Sequence, residues 1–146
     1  MKIEIKKNSH YQCEYTIHRN NGSVEVISLE TKTYLLHDIC HFAVERNLKY
    51  ANGFWGMLSQ GYTFEELFGK NNPKTEELRF IEQIVGPVQS VISGHIPIAD
   101  FEKSIEHLHF KFPGDTFNCI LVEIKNIIVI WEGLKIGQNL KLIWPF

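Results

Sequence analysis

Leu-Leu-His-Asp-Ile-Cys-His-Phe-Ala-Val-Glu, residues 35–45, is where the periodicity of this chain changes. Before it the pattern is that of strands. Lys-Ile-Glu-Ile-Lys (2–6) alternates charged and aliphatic residues and predicts a half-buried strand. Residues 11–19 are rich in β-formers, Asn-Asn-Gly (20–22) supplies residues that tolerate positive φ, and Ser-Val-Glu-Val-Ile-Ser-Leu (23–29) predicts the returning strand of a hairpin. The chain thus opens with a three-stranded meander. From Leu36 onward, Ile39, Cys40, Phe42, Ala43, Val44 and Leu48 fall on one broad arc of a helix.

The rest of the chain is helical in pattern until its end. Asn52-Gly53 is expected to end the first helix, and Gly-Phe-Trp-Gly (53–56) predicts a tight corner. Short helical pieces are expected at 55–60 and 64–68. Residues 71–75 predict a turn and a helix start, followed by the stripe Leu78, Ile81, Val85, Val88 and Ile92. Gly86-Pro87 should kink that helix, because proline lacks a backbone donor. Residues 93–97 break the chain, and a further helix is expected over 100–110. Residues 117–131 are open to two readings. Their β-branched residues favour a strand, but Ile120, Ile124, Ile127, Ile128, Trp131 and Leu134 recur at helical spacing, and Gly133-Leu134 resembles a glycine C-cap. Helix is preferred. Leu-Lys-Leu-Ile-Trp (140–144) predicts a last strand that joins the meander. The expectation is one α+β domain spanning 1–146: an antiparallel sheet of about four strands, three N-terminal and one C-terminal, covered by four or five helices.

Composition narrows the function classes. The chain has 146 residues, 44% hydrophobic and 22% charged, the balance of a globular domain. A formal net charge of −2 argues against a general nucleic-acid binder, which needs surplus Lys and Arg to displace counterions. Cys13, Cys40 and Cys119 are odd in number and widely spaced, so a disulfide framework or thiolate zinc site is not expected. The N-terminus carries no apolar leader pattern, and residues 127–131 are too few to span a bilayer. These features predict a soluble, cytoplasmic protein with no membrane partner.

The opening stretch also holds the candidate chemistry. Residues four apart on a helix drift by only ~40°, so His37, His41 and Glu45 share one face, with Asp38 beside them. Two imidazoles and a carboxylate are ligands that zinc or a similar divalent ion takes. His-Asp-x-x-His mimics the His-Glu-x-x-His spacing of zinc hydrolases, in which the acid between the ligands is the general base. Asp38 would be that base, and it is one methylene shorter than Glu. The third ligand would be Glu45, or else His95, His107 or His109 from elsewhere. The structural alternative is preferred: Asp38 complements the helix dipole, His41 pairs with Glu45, and Glu45 pairs with Lys49 on the wet edge of the helix. Cys40 falls on the apolar arc and reads as a core thiol. Phe54 and Trp55 are candidates to line a ligand pocket or to anchor the core. No phosphate loop, dinucleotide glycine motif or nucleophile elbow occurs.

Taken together, Leu36-His37-Asp38-x-x-His41-Phe42-x-Val44-Glu45, then Gly53-Phe54-Trp55-Gly56 and Gly61, then Trp131-x-x-Leu134-x-x-Gly137-x-x-Leu140-x-Leu142-x-Trp144-Pro145, resemble a family of small uncharacterised bacterial proteins. That family carries an L-P-H-D-x-x-H-F-x-V-E core, a glycine-aromatic-glycine corner and a W-x-x-L-x-x-G-G-x-L-x-L-x-W ending. The likeness covers both ends of the chain and the first helix; the middle is only loosely similar. Leu36 stands where the family has proline, and Gln138 where a second glycine often occurs. The resemblance implies a bacterial source, one compact domain and a helix over 117–132. It implies no substrate and no catalytic assignment.

Two functions are carried forward. The favoured one is a non-enzymatic domain acting through binding or assembly, with a protein partner or a second copy of itself and no cofactor. The other is a divalent-metal-dependent, hydrolase-like enzyme with His37, His41 and Glu45 as ligands and Asp38 as base or outer-shell support.

Overall fold

The computed structural model describes residues 1–69 and 75–146. Three antiparallel strands open the chain: β1 (Lys2–Lys7), β2 (Gln12–His18) and β3 (Val24–Glu30). The alternation in β1 is read out directly, with Ile3 and Ile5 fully buried and Lys2 and Lys6 exposed. The hairpin between β2 and β3 closes where Asn-Asn-Gly predicts it: Gly22 sits at φ +87°, and its N–H donates to Arg19 O at 3.0 Å. The C-terminal strand β4 (Asn139–Ile143) pairs antiparallel with β1, setting Leu140 opposite Ile5 and Leu142 opposite Ile3. The strand order is β3-β2-β1-β4, and one face of the sheet is apolar at its centre, with Lys7 and Glu25 at its margins.

The helices are α1 (Thr31–Leu48), α2 (Phe54–Gln60), α3 (Phe64–Phe68), α4 (Glu76–Ile92), α5 (Phe101–Ser104) and α6 (Thr116–Gly133). The described residues therefore form six α-helices where four or five are expected, and α3 and α5 are only five and four residues long. The four-stranded α+β architecture is as the sequence predicts.

α1 is the central element. It packs against α4 and α6, meets β3, and buries Leu35, Ile39 and Phe42 in the shared core. It begins at Thr31, before the change of period, and ends ahead of Asn52-Gly53: Lys49 adopts φ +58°, and its N–H reaches Arg46 O. Every residue from 38 to 45 is buried, so Asp38, His41 and Glu45 are interior and not on a wet edge, while His37 is partly exposed.

Thr75 caps α4, its Oγ1 accepting from Leu78 N at 3.0 Å; the turn expected at 71–74 lies outside the described residues. α4 continues as helix through Gly86 and Pro87. The ambiguous segment is the helix α6, which buries Ile120, Ile124, Ile127 and Trp131 along one side. Gly133 is its last helical residue and the extended Leu134 its C-cap, in place of a positive-φ glycine.

The helix expected over 100–110 is a correction. Only α5 and two 3₁₀ turns, Ile98–Asp100 and Glu106–Leu108, form there. Phe101 and Ile105 enter the core one turn apart, but Phe110 and Phe112 then alternate, a period no helix satisfies. No helix among the described residues is long and apolar enough to cross a membrane.

Candidate metal centre

α1 carries His37 and His41 on consecutive turns, and their ring centroids are 4.7 Å apart. The carboxylate that meets both comes from α4. Glu82 Oε1 is 3.4 Å from His41 Nε2, and Glu82 Oε2 is 3.7 Å from His37 Nε2. Among the described residues, His37, His41 and Glu82 form the one group of three ligand types whose donor atoms all lie within 4.8 Å of one another. A tetrahedral zinc with bonds of ~2.0–2.1 Å separates its donors by roughly 3.3 Å, close to the two Glu82 distances.

The other nitrogen of each ring is already engaged. His41 Nδ1 lies 3.0 Å from Glu45 Oε1, and His37 Nδ1 lies 3.0 Å from Gln89 Oε1. An Nδ1–H donated to an outer acceptor fixes the tautomer and leaves Nε2 as the donor to a metal. Glu82 and Gln89 are seven residues apart, two turns of α4, and so face α1 along one line. The cluster is graded in exposure: the His41 side chain is 2% exposed, His37 38% and Glu82 49%. It opens to solvent on the His37–Glu82 side.

Glu45 has a different task from the one its spacing suggests. Its carboxylate is fully buried and accepts from Phe54 N at 2.8 Å, Trp55 N at 3.0 Å and Gly56 N at 3.4 Å, besides facing His41. These are the free N–H groups of the first turn of α2, where an anion is favoured. The glycines of the corner follow from two close approaches, of Glu45 to Gly53 and of Ala51 to Gly56. A Cβ on Gly53 would meet Glu45 Cδ at 2.4 Å, and one on Gly56 would meet Ala51 O at 2.0 Å. Glu45 is therefore not the third member of the cluster and makes no pair with Lys49; it stands behind His41.

Asp38, expected as the base, turns away. Its Oδ2 accepts from Tyr15 OH at 2.9 Å in the interior, and its backbone oxygen accepts from Trp55 Nε1 at 2.9 Å. Phe54 and Trp55 are core residues, 7% and 0% exposed. A cavity of about 1050 Å³ lies elsewhere, between Phe101, Phe110, Phe112 and Phe117. His95, His107 and His109 do not belong to the cluster.

The charges respond to this packing. Burial pushes His41 down, but the carboxylates of Glu45 and Glu82 outweigh it and hold the imidazole up at about 9. His37 is raised chiefly by its contact with Glu82. Burial works against the Glu82 carboxylate too, yet the two rings hold it well below the usual range. Glu45 is pushed up by burial, against the pull of His41 and the α2 N–H groups. Asp38 is pushed up to about 6 by burial, with the Tyr15 hydroxyl opposing. Cys40, buried beside Asp38, is pushed up to about 12 and is no nucleophile at neutral pH.

Sequence reasoning missed Glu82 and Gln89. The available signal was weak: two polar residues, two turns apart, bordering the apolar stripe of α4. Comparison of the chain with family models, curated proteins and solved structures finds no match.

Proposed function

We propose that this chain is a divalent-cation-binding domain, with His37 Nε2, His41 Nε2 and the Glu82 carboxylate as ligands. One observation carries the reading: both imidazoles have Nδ1 held by an outer acceptor, while both Nε2 atoms face a single carboxylate at 3.4 and 3.7 Å. Three protein ligands with an open fourth position is the pattern of a zinc site that takes up water or substrate. Such a cation supplies Lewis acidity and lowers the pKa of a bound water. Asp38 is committed to Tyr15, so the support for cation binding is stronger than the support for hydrolysis with Asp38 as base. The three free thiols fit a reducing compartment such as the bacterial cytoplasm.

The test is the metal content of untagged protein purified without chelator, beside Glu82→Ala and His41→Ala. The expected result is about one equivalent of zinc or a similar ion, lost in both variants. Glu82 is half-exposed, so its variant keeps its fold even if the buried His41 variant does not. A wild type that takes up no added zinc, or a Glu82→Ala that binds it equally well, overturns the reading.

A second reading is supported by the outer face of α6. Val122, Val129 and Ile130 there, and Ile136 just beyond, are each more than half exposed, an apolar surface of the kind used in self-association. Sedimentation should then show a concentration-dependent mass that Val129→Glu abolishes; a monomer at every concentration refutes it.

A further inference from the structure

We infer that the open side of the His37–His41–Glu82 centre takes an aryl acid: a ligand that gives the cation an anionic oxygen and lays an aromatic ring against Phe68 and Tyr34. The inference rests on the metal reading above.

A wall of rings runs from the deepest ligand to the surface. Phe54 lies 5.7 Å from the His41 ring. Phe68 stacks on Phe54 at 5.8 Å with the planes 24° apart. Tyr34 tilts against Phe68 at 5.5 Å. Tyr34 also precedes His37 by three residues and His41 by seven, so the two ligands and the tyrosine follow one line of α1. The wall emerges as it leaves the core: Phe54 is 7% exposed and Phe68 42%. His37 and Glu82 are the solvent-exposed members of the centre, 38% and 49%. A molecule approaching the cation past His37 would meet Tyr34, one turn back on α1, and Phe68 in contact with it.

Two chemical preferences follow. A divalent ion with one carboxylate and two neutral imidazoles keeps a net positive charge, so its fourth position favours an anionic oxygen. A ring carried on the carbon of the acid group reaches roughly 4.5 Å along α1, the rise of the three residues that separate Tyr34 from His37. Rings gain specifically from offset and edge contacts with other rings, which a methyl group in the same place cannot make.

The probes are acetohydroxamate and benzohydroxamate, which share a metal-binding group and differ in the ring, titrated calorimetrically into zinc-loaded and zinc-free wild type. The variants are Phe68→Ala and Tyr34→Ala. Benzohydroxamate should bind the zinc-loaded chain on the order of tenfold tighter than acetohydroxamate. The preference should fall toward unity in Phe68→Ala and weaken in Tyr34→Ala, with zinc stoichiometry unchanged, and neither probe should bind without zinc. A chain that takes up zinc but binds the two probes equally overturns this inference alone, as does a preference that survives both substitutions. A chain that takes up no zinc overturns the metal reading and this inference with it.

Discussion

Removing Glu45 tests how α1 holds its buried polar stripe. The carboxylate is fully enclosed, with His41 on one side and three backbone N–H groups of α2 on the other. Glu45→Ala strands a buried imidazole against Glu82 alone and leaves three donors unpaired in the core. Breaking a buried pair by deleting one partner costs ~3–5 kcal/mol, and loss of a helix cap adds about 1 kcal/mol. Because the two losses overlap, the expected cost is about 4 kcal/mol, a fall in Tm of roughly 8–16 °C for a chain of this size. Glu45→Gln keeps the shape and one acceptor oxygen, and should cost about half as much. The assay is urea unfolding of chelator-treated protein, followed by the fluorescence of the tryptophans, since Trp55 is fully buried and its backbone N–H donates to Glu45. Combined with His41→Ala, the double mutant should show a coupling of ~1–3 kcal/mol. The pH dependence has a definite sign. His41 is raised from 6.5 to about 9, so its stabilisation is complete below the lower value and is lost as pH rises through the upper one. A cost below about 1 kcal/mol for Glu45→Ala, or additivity with His41→Ala, refutes the reasoning.

Three further outcomes are expected. Asp38 is raised from 3.8 to about 6 by burial, so its ionisation weighs against the fold as pH rises through that range; Asp38→Asn should gain about 3 kcal/mol relative to wild type between acid and neutral pH, and a difference that stays constant with pH in chemical denaturation contradicts this. Gly56→Ala drives a Cβ to 2.0 Å from Ala51 O, a backbone atom that cannot yield; a loss of about 3 kcal/mol is expected in the same assay, and wild-type stability refutes the close approach. Cys119 is exposed while Cys13 and Cys40 are buried with raised pKa values; an aromatic disulfide reagent should therefore modify one thiol in the native chain and all three in urea, and rapid native labelling of two or more contradicts the burial.

The meander, the returning C-terminal strand and the helical reading of α6 were legible because each rests on local periodicity. Ile3 and Ile5 in β1, and Cys13, Tyr15 and Ile17 in β2, repeat every second residue, Ile120, Ile124 and Ile127 every third or fourth, and a buried face selects one register of either pattern. The adjacency of His37 and His41 was legible for the same reason, since helical spacing alone puts them on one side of α1. What those two rings face was not. Glu82 and Gln89 approach from a helix more than forty residues away in sequence, and their approach depends on how α4 packs across α1. Glu45 shows the reverse: its spacing matched a ligand, but the fold of the Gly53–Gly56 corner turned the free N–H groups of α2 onto its carboxylate. Spacing along one helix sets which side chains share a face; the elements packed against that face decide which of them meet a partner, because a charge can enter the core only where another element supplies its opposite charge or its hydrogen bonds.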